Sequence, residues 1–76
     1  MKELVEVMAK ALVDHPEEVV VTEREEKGDL IVELRVAPSD MGKVIGRQGR
    51  IAKAIRAVVK AASARSDQRV VVDITQ

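Results

Sequence analysis

Seventy-six residues make one domain, spanning 1–76, and a chain this short buries only about 60% of the surface its unfolded form exposes, so its stability rests on good packing or on oligomerisation. The absence of Cys excludes disulfides and thiolate metal sites, and a lone His excludes an imidazole cluster, so neither a metal nor another cofactor is expected. The net charge is zero, no apolar run approaches the ~18 residues of a membrane span, and the start Met1-Lys2-Glu3-Leu4 has no signal-peptide pattern, so a soluble cytoplasmic protein is expected.

Leu4, Val7, Met8, Ala11 and Leu12 recur at helical spacing and predict a helix that stops before Pro16, because the residue preceding a proline disfavours the αR region. The β-branched run Val19-Val20-Val21-Thr22 predicts a strand. Glu26-Lys27-Gly28-Asp29 reads as a turn, with Gly28 free to take positive φ. Leu30, Val32, Leu34 and Val36 then alternate with Ile31, Glu33 and Arg35, a half-buried strand paired to the first as a hairpin.

Ser39-Asp40 is a capping pair for a short helix, Met41 to Ile45. The loop Gly46-Arg47-Gln48-Gly49 follows, then an Ala-rich helix from about Arg50 to Arg65. Arg69 to Thr75 reads as a last strand with Val70, Val72 and Ile74 on one face. The order α-β-β-α-α-β predicts an α+β fold, a three-stranded mixed sheet with helices on one face. Counted from Arg50 at about 100° per residue, Arg56, Lys60 and Lys53 fall at about 240°, 280° and 300°, while Val58, Ile51, Ala62 and Ile55 fall at about 80–140°. The second group is expected to pack on the sheet and the first to be displayed.

The zero net charge hides a strong asymmetry. Residues 1–40 hold 5 Lys/Arg against 11 Asp/Glu, residues 41–65 hold 7 Lys/Arg and no acid, and residues 66–76 hold 1 against 2. A basic block without acids is the footprint of a polyanion site, although a solvated helix face can look the same. With no Phe, Tyr or Trp, base stacking on aromatic rings is excluded.

The loop 46–49 supplies what a sugar–phosphate backbone needs. Unpaired amides and the dipole at a helix N-terminus make an anion site. Gly46 and Gly49 allow close approach. Arg47, Arg50 and Lys43 add charge, Gln48 can hydrogen-bond, Lys53 continues the basic side, and Ile45 and Ile51 offer apolar surface to bases. Two glycines three apart also suit a plain helix–turn–helix corner. There is no G-x-x-x-x-G-K-[ST] and no nucleophile–base pair, so no enzyme is expected. Asp14, Glu17 and Glu18 match no metal-binding spacing.

Val44-Ile45-Gly46-Arg47-Gln48-Gly49-Arg50 resembles the V-I-G-x-x-G signature of KH domains, and the added helix and strand before the β-α-α-β core resemble their type II arrangement. The stretch from Asp40 to Arg56 resembles the small stand-alone bacterial KH proteins of the KhpA family. That resemblance implies a single-stranded-RNA-binding protein, an RNA chaperone or post-transcriptional regulator. It implies a complex with a larger KhpB-like KH protein, with links to cell elongation and envelope homeostasis, and the small footprint of about four nucleotides per domain points by itself to a homodimer or heterodimer. Ala52 stands where many KH domains carry a branched apolar residue, which implies a shallower groove. Two other readings remain: a module whose basic helix docks an acidic protein, and a binder of single-stranded DNA.

Overall fold

The computed structural model describes residues 1–76 and runs α1 (Lys2–Leu12), β1 (Val20–Glu26), β2 (Asp29–Arg35), α2 (Met41–Ile45), α3 (Arg50–Ala62) and β3 (Val70–Thr75). Single 3-10 turns lie at Pro16–Glu18, Pro38–Asp40 and Arg47–Gly49. β2 is central. β1 joins it antiparallel, with Val20 opposite Arg35 and Glu26 opposite Asp29, and β3 joins it parallel, with Leu30 opposite Val70 and Arg35 opposite Thr75. This is the expected α-β-β-α-α-β order and mixed sheet, with the helices packed on one face.

β1 reaches well past its β-branched run because the turn fixes its register. Lys27 and Gly28 take φ of 53° and 86°. Two positive φ values match the twist of a two-residue hairpin, and they carry Glu23, Arg24 and Glu25 into pairing with Val32, Ile31 and Leu30. The core gathers Val5 and Ala9 from α1, Val32 and Leu34 from β2, Val44 from α2, Ile55 and Val59 from α3, and Val72 from β3.

Both long helices are rolled relative to the expected faces. In α3 the buried residues are Ala52, Ile55 and Val59, while Val58 is 44% exposed and Ala62 is exposed. In α1 they are Val5 and Ala9, while Val7 is 67% exposed. The small residues Ala9 and Ala52 let each helix approach the sheet closely, which turns the larger Val7 and Val58 outward.

Asp40 is not the side-chain cap of α2. It closes the 3-10 turn through its own N–H to Ala37 O (2.8 Å), and its αR backbone does not have the extended geometry of a capping residue. Its carboxylate, 1% exposed, instead accepts the backbone N–H groups of Asp14 (3.1 Å) and His15 (3.0 Å). The start of α2 is thereby fastened to the segment that follows α1. Charge-assisted bonds of this kind are worth about 1.5–3 kcal/mol each.

Candidate nucleic-acid interface

The chain leaves α2 at Gly46 with φ 76° and ψ 173°, a region reached essentially by glycine alone. A Cβ at Gly46 would stand 2.6 Å from Cγ1 of Ile51. Gly46 is therefore required both by its backbone and by its neighbour. Gln48 (φ 58°) and Gly49 (φ 74°) complete a tight corner, closed by the Gly49 N–H donating to Gly46 O at 3.1 Å. A Cβ at Gly49 would meet nothing within 4 Å, so the corner opens toward solvent there. No side chain caps the first turn of α3; the Arg50 N–H donates to Arg47 O, and the helix dipole places positive potential at this end.

The corner brings Arg47, Gln48 and Arg50 together, all exposed, with Gln48 Oε1 accepting from Arg50 Nη2 at 3.3 Å. Ile45 is 37% exposed beside them. Lys53 is exposed about one turn along α3. Ile51 is half-buried against the core and under Gly46, so it props the loop from below. Lys43 is exposed and lies 3.5 Å from the Asp14 carboxylate, drawn toward the segment after α1. Arg47, Arg50, Lys53, Lys60 and Arg65 have no carboxylate partner, because the ion pairs lie elsewhere, mostly in α1 and the hairpin. Ala52 is buried on α3, with Ile55 and Val59.

Two surfaces were not legible in the sequence. A cleft of about 700 Å³ separates α3 from β3, lined by Arg56, Lys60, Gln68, Arg69 and Val70 among others. Arg56 was expected to be freely displayed, yet its Nε and Nη2 donate to Val72 O at 3.3 and 3.2 Å. The signal was its position beside Ala52, within reach of whatever strand α3 packs on. The second surface is a shallow apolar groove of about 420 Å³ between α1 and α3, lined by Met8, Ala11, Leu12, Ile51, Ala54 and Val58 among others. Leu12 and Val58, which the rolled helices leave exposed, line it beside Met8 and Ile51, which pack against the core.

His15, Glu17 and Glu18 place ligand-type atoms within 4.8 Å of one another on the open surface. Exposed acids adopt such an arrangement without an ion. No helix is long and apolar enough to cross a membrane.

A β-α-α-β core with a glycine-bounded corner between its two helices, preceded by one extra helix and strand, defines a type II KH domain, a binding module and not a catalyst. The model for the KhpA/KhpB KH domain matches residues 2–74, and the chain belongs to that family. It is 62% identical over 74 residues to the RNA-binding protein KhpA of Clostridium perfringens, covering 97% of this chain and 99% of that one. It is 47% identical to the protein of the same name from Listeria monocytogenes, over the whole of both. Among solved structures it resembles Era in complex with MgGDPNP and nucleotides 1506–1542 of 16S ribosomal RNA, with a TM-score of 0.64 and 19% identity. That match covers 97% of this chain and 28% of Era, and it concerns the fold alone.

Proposed function

We propose that the chain binds single-stranded RNA in the cytoplasm, gripping the backbone with Gly46–Gly49, Arg47 and Arg50 and guiding it along Lys53 and Lys60. The observation that carries this reading is the outward corner at the start of α3, which no side chain caps, followed by a helix whose cations have no carboxylate partner within the chain. The name shared by its relatives, RNA-binding protein KhpA, supports it. The role that fits the family is that of an RNA chaperone or post-transcriptional regulator linked to cell elongation and envelope homeostasis.

The test is a titration against single-stranded RNA, duplex RNA and single-stranded DNA at two salt concentrations. Unpaired RNA should bind best, because bases must splay beside the loop. Affinity should fall with salt, with a log–log slope of about −0.7 per phosphate neutralised. Equal binding to a perfect duplex, or no salt dependence, refutes the reading, and equal binding to DNA removes a role for the 2′-hydroxyl.

One KH domain contacts about four nucleotides, so useful affinity calls for a second linked site. The groove between α1 and α3 supports a dimer with a second KH domain of the same family, another copy or the domain of a larger KhpB-like protein. A two-fold interface packs one patch of the surface against its own copy, and Val58, Leu12 and Met8 offer an apolar one. Val58→Glu should convert a dimer to a monomer in sedimentation with little change in melting temperature. A parent protein that is monomeric at high concentration and captures no KH protein from its own cytoplasm refutes the dimer.

A further inference from the structure

We propose that Arg56 determines base specificity, making the middle of the open β3 edge accept guanine in preference to adenine. The proposal rests on the RNA-binding reading above and adds to it a base and the residue that selects it.

β3 is an edge strand. Arg69 O accepts from Leu30 N–H at 2.8 Å and Thr75 O from Val36 N–H at 3.1 Å, so Arg69, Val71, Asp73 and Thr75 turn their peptide groups toward β2. By the alternation of a strand, Val70, Val72 and Ile74 turn theirs outward, and the bond from Arg56 to Val72 O confirms that direction. An outward residue on an open edge offers one N–H and one C=O side by side. That donor–acceptor pair suits adenine, which presents an amino donor beside a ring-nitrogen acceptor.

Arg56 changes the pattern at one place. Its Nε and Nη2 both donate to Val72 O, which closes that acceptor. What remains is the Val72 N–H and the unused N–H groups of a guanidinium, which carries five in all. The position has become an array of donors. Guanine meets such an array with two acceptors on one edge, O6 and N7, the pairing arginine favours. Adenine would set its amino group against donors.

The place is within reach of a strand held at the loop. Arg56 lies seven residues beyond Gly49 in a continuous helix, about 10 Å along its axis and inside the footprint of about four nucleotides. Lys53 and Lys60, both exposed, flank it about one turn to either side, where phosphates would run. The adjoining cleft of about 700 Å³ has room for a base, with Ala64 and Val70 in its apolar lining.

The test compares two uridine hexamers, one with a single central guanosine and one with a single central adenosine. The parent, Arg56→Met and Arg56→Lys are titrated with both, and each variant is melted. Comparing two purines holds size and charge constant. The parent should bind the guanosine oligomer about tenfold more tightly. Arg56→Met keeps the stem but reopens Val72 O, so it should weaken both affinities and abolish or reverse the preference. Arg56→Lys keeps the charge and loses the fork, so affinity for the guanosine oligomer should fall toward that for the adenosine oligomer and the preference should narrow. Should the methionine variant fail to fold, the lysine variant carries the test. A general loss of stability weakens both oligomers alike and leaves their ratio unchanged. A parent that binds both equally overturns the proposal and leaves the RNA reading intact. A parent that binds neither overturns both. A methionine variant with the parental ratio shows that Arg56 only shields the strand edge.

Discussion

Two halves of this small chain use their charges in opposite ways: residues 1–40 carry 5 Lys/Arg among 11 Asp/Glu, and residues 41–65 carry 7 Lys/Arg and no acid. In residues 1–40 most cations sit beside an acid, and the surplus acids leave a negative field: Lys10 lies 3.3 Å from Glu6, Arg24 lies 3.1 Å from Glu26, and Glu33 sits between Arg24 and Arg35 at 3.7 Å from each. In residues 41–65 only Lys43 has an acidic partner, and that partner, Asp14, comes from the other half. Paired surface charges contribute little to stability. Unpaired charges of one sign keep a field that extends into solvent. In the reading proposed above, the hairpin and α1 are scaffold, and the α2–loop–α3 segment, basic and free of acids, is the surface for a polyanion.

The largest effect should come from reversing the field at the corner. Arg47→Asp with Gln48→Asp puts two acids where phosphates must approach, and RNA binding should fall to background. The fold should hold. An acid near a helix N-terminus is favourable by about 0.3–1 kcal/mol, both side chains are exposed, and aspartate tolerates the positive φ of position 48 better than most residues do. Circular dichroism, a melt and an RNA titration on one sample check this. A folded variant that binds RNA like the parent would move the grip to the helix face alone.

The two loop glycines should separate stability from binding. Gly46→Ala combines a forbidden backbone region, costing about 1–3 kcal/mol, with a Cβ 2.6 Å from Ile51. Gly49→Ala meets no neighbour and is penalised only by its left-handed backbone, by about 1–2 kcal/mol. The first should lower the melting temperature by more than the second. Equal losses would show that the corner is looser than its contacts imply.

The sequence was informative wherever one residue type has one physical meaning. Gly28 marked the hairpin turn, the alternation of Leu30, Val32 and Leu34 marked the central strand, and Gly46 with Gly49 marked the corner. It failed where alanine made the pattern ambiguous. Ala52 and Val59 could share a face with Ile55 as readily as Val58 and Ala62 could, and periodicity cannot say which pair the sheet selects. Packing chose the face with the smaller residue, Ala52, and left Val58 outside. Asp40 shows the same limit in a polar residue. Its position before a helix suggested a cap, but its role depends on Asp14 and His15, some 25 residues away in sequence.

Charge reversal along α3 tests the second half of the comparison. Lys53→Glu with Lys60→Glu should weaken RNA binding tenfold or more and flatten its salt dependence, since each lysine lost removes about one phosphate contact. Both side chains are exposed and unpaired, and substitutions away from packed or bonded groups usually change stability by under about 0.5 kcal/mol each. A large fall in melting temperature with unchanged RNA affinity would mean that this side of α3 packs and another side binds.

The smallest effect belongs to the hairpin. Glu25→Gln with Glu26→Gln removes two negative charges from the scaffold and keeps the shape of both side chains. Arg24 loses an exposed partner at 3.1 Å but keeps Glu33 at 3.7 Å, and exposed pairs of this kind are worth about 0–1 kcal/mol. At position 25 a glutamine oxygen can still accept the Gln68 amide, which the carboxylate holds at 3.1 Å. Stability should therefore change by under about 1 kcal/mol. RNA should associate slightly faster at low salt, because the net field is less repulsive. That gain should vanish at physiological ionic strength, where the Debye length is about 8 Å and the hairpin's charges are screened from the loop. Stopped-flow association at two salt concentrations measures the difference. A gain that persists at high salt would place the hairpin in direct contact with the RNA and end the division of the molecule into scaffold and binding surface.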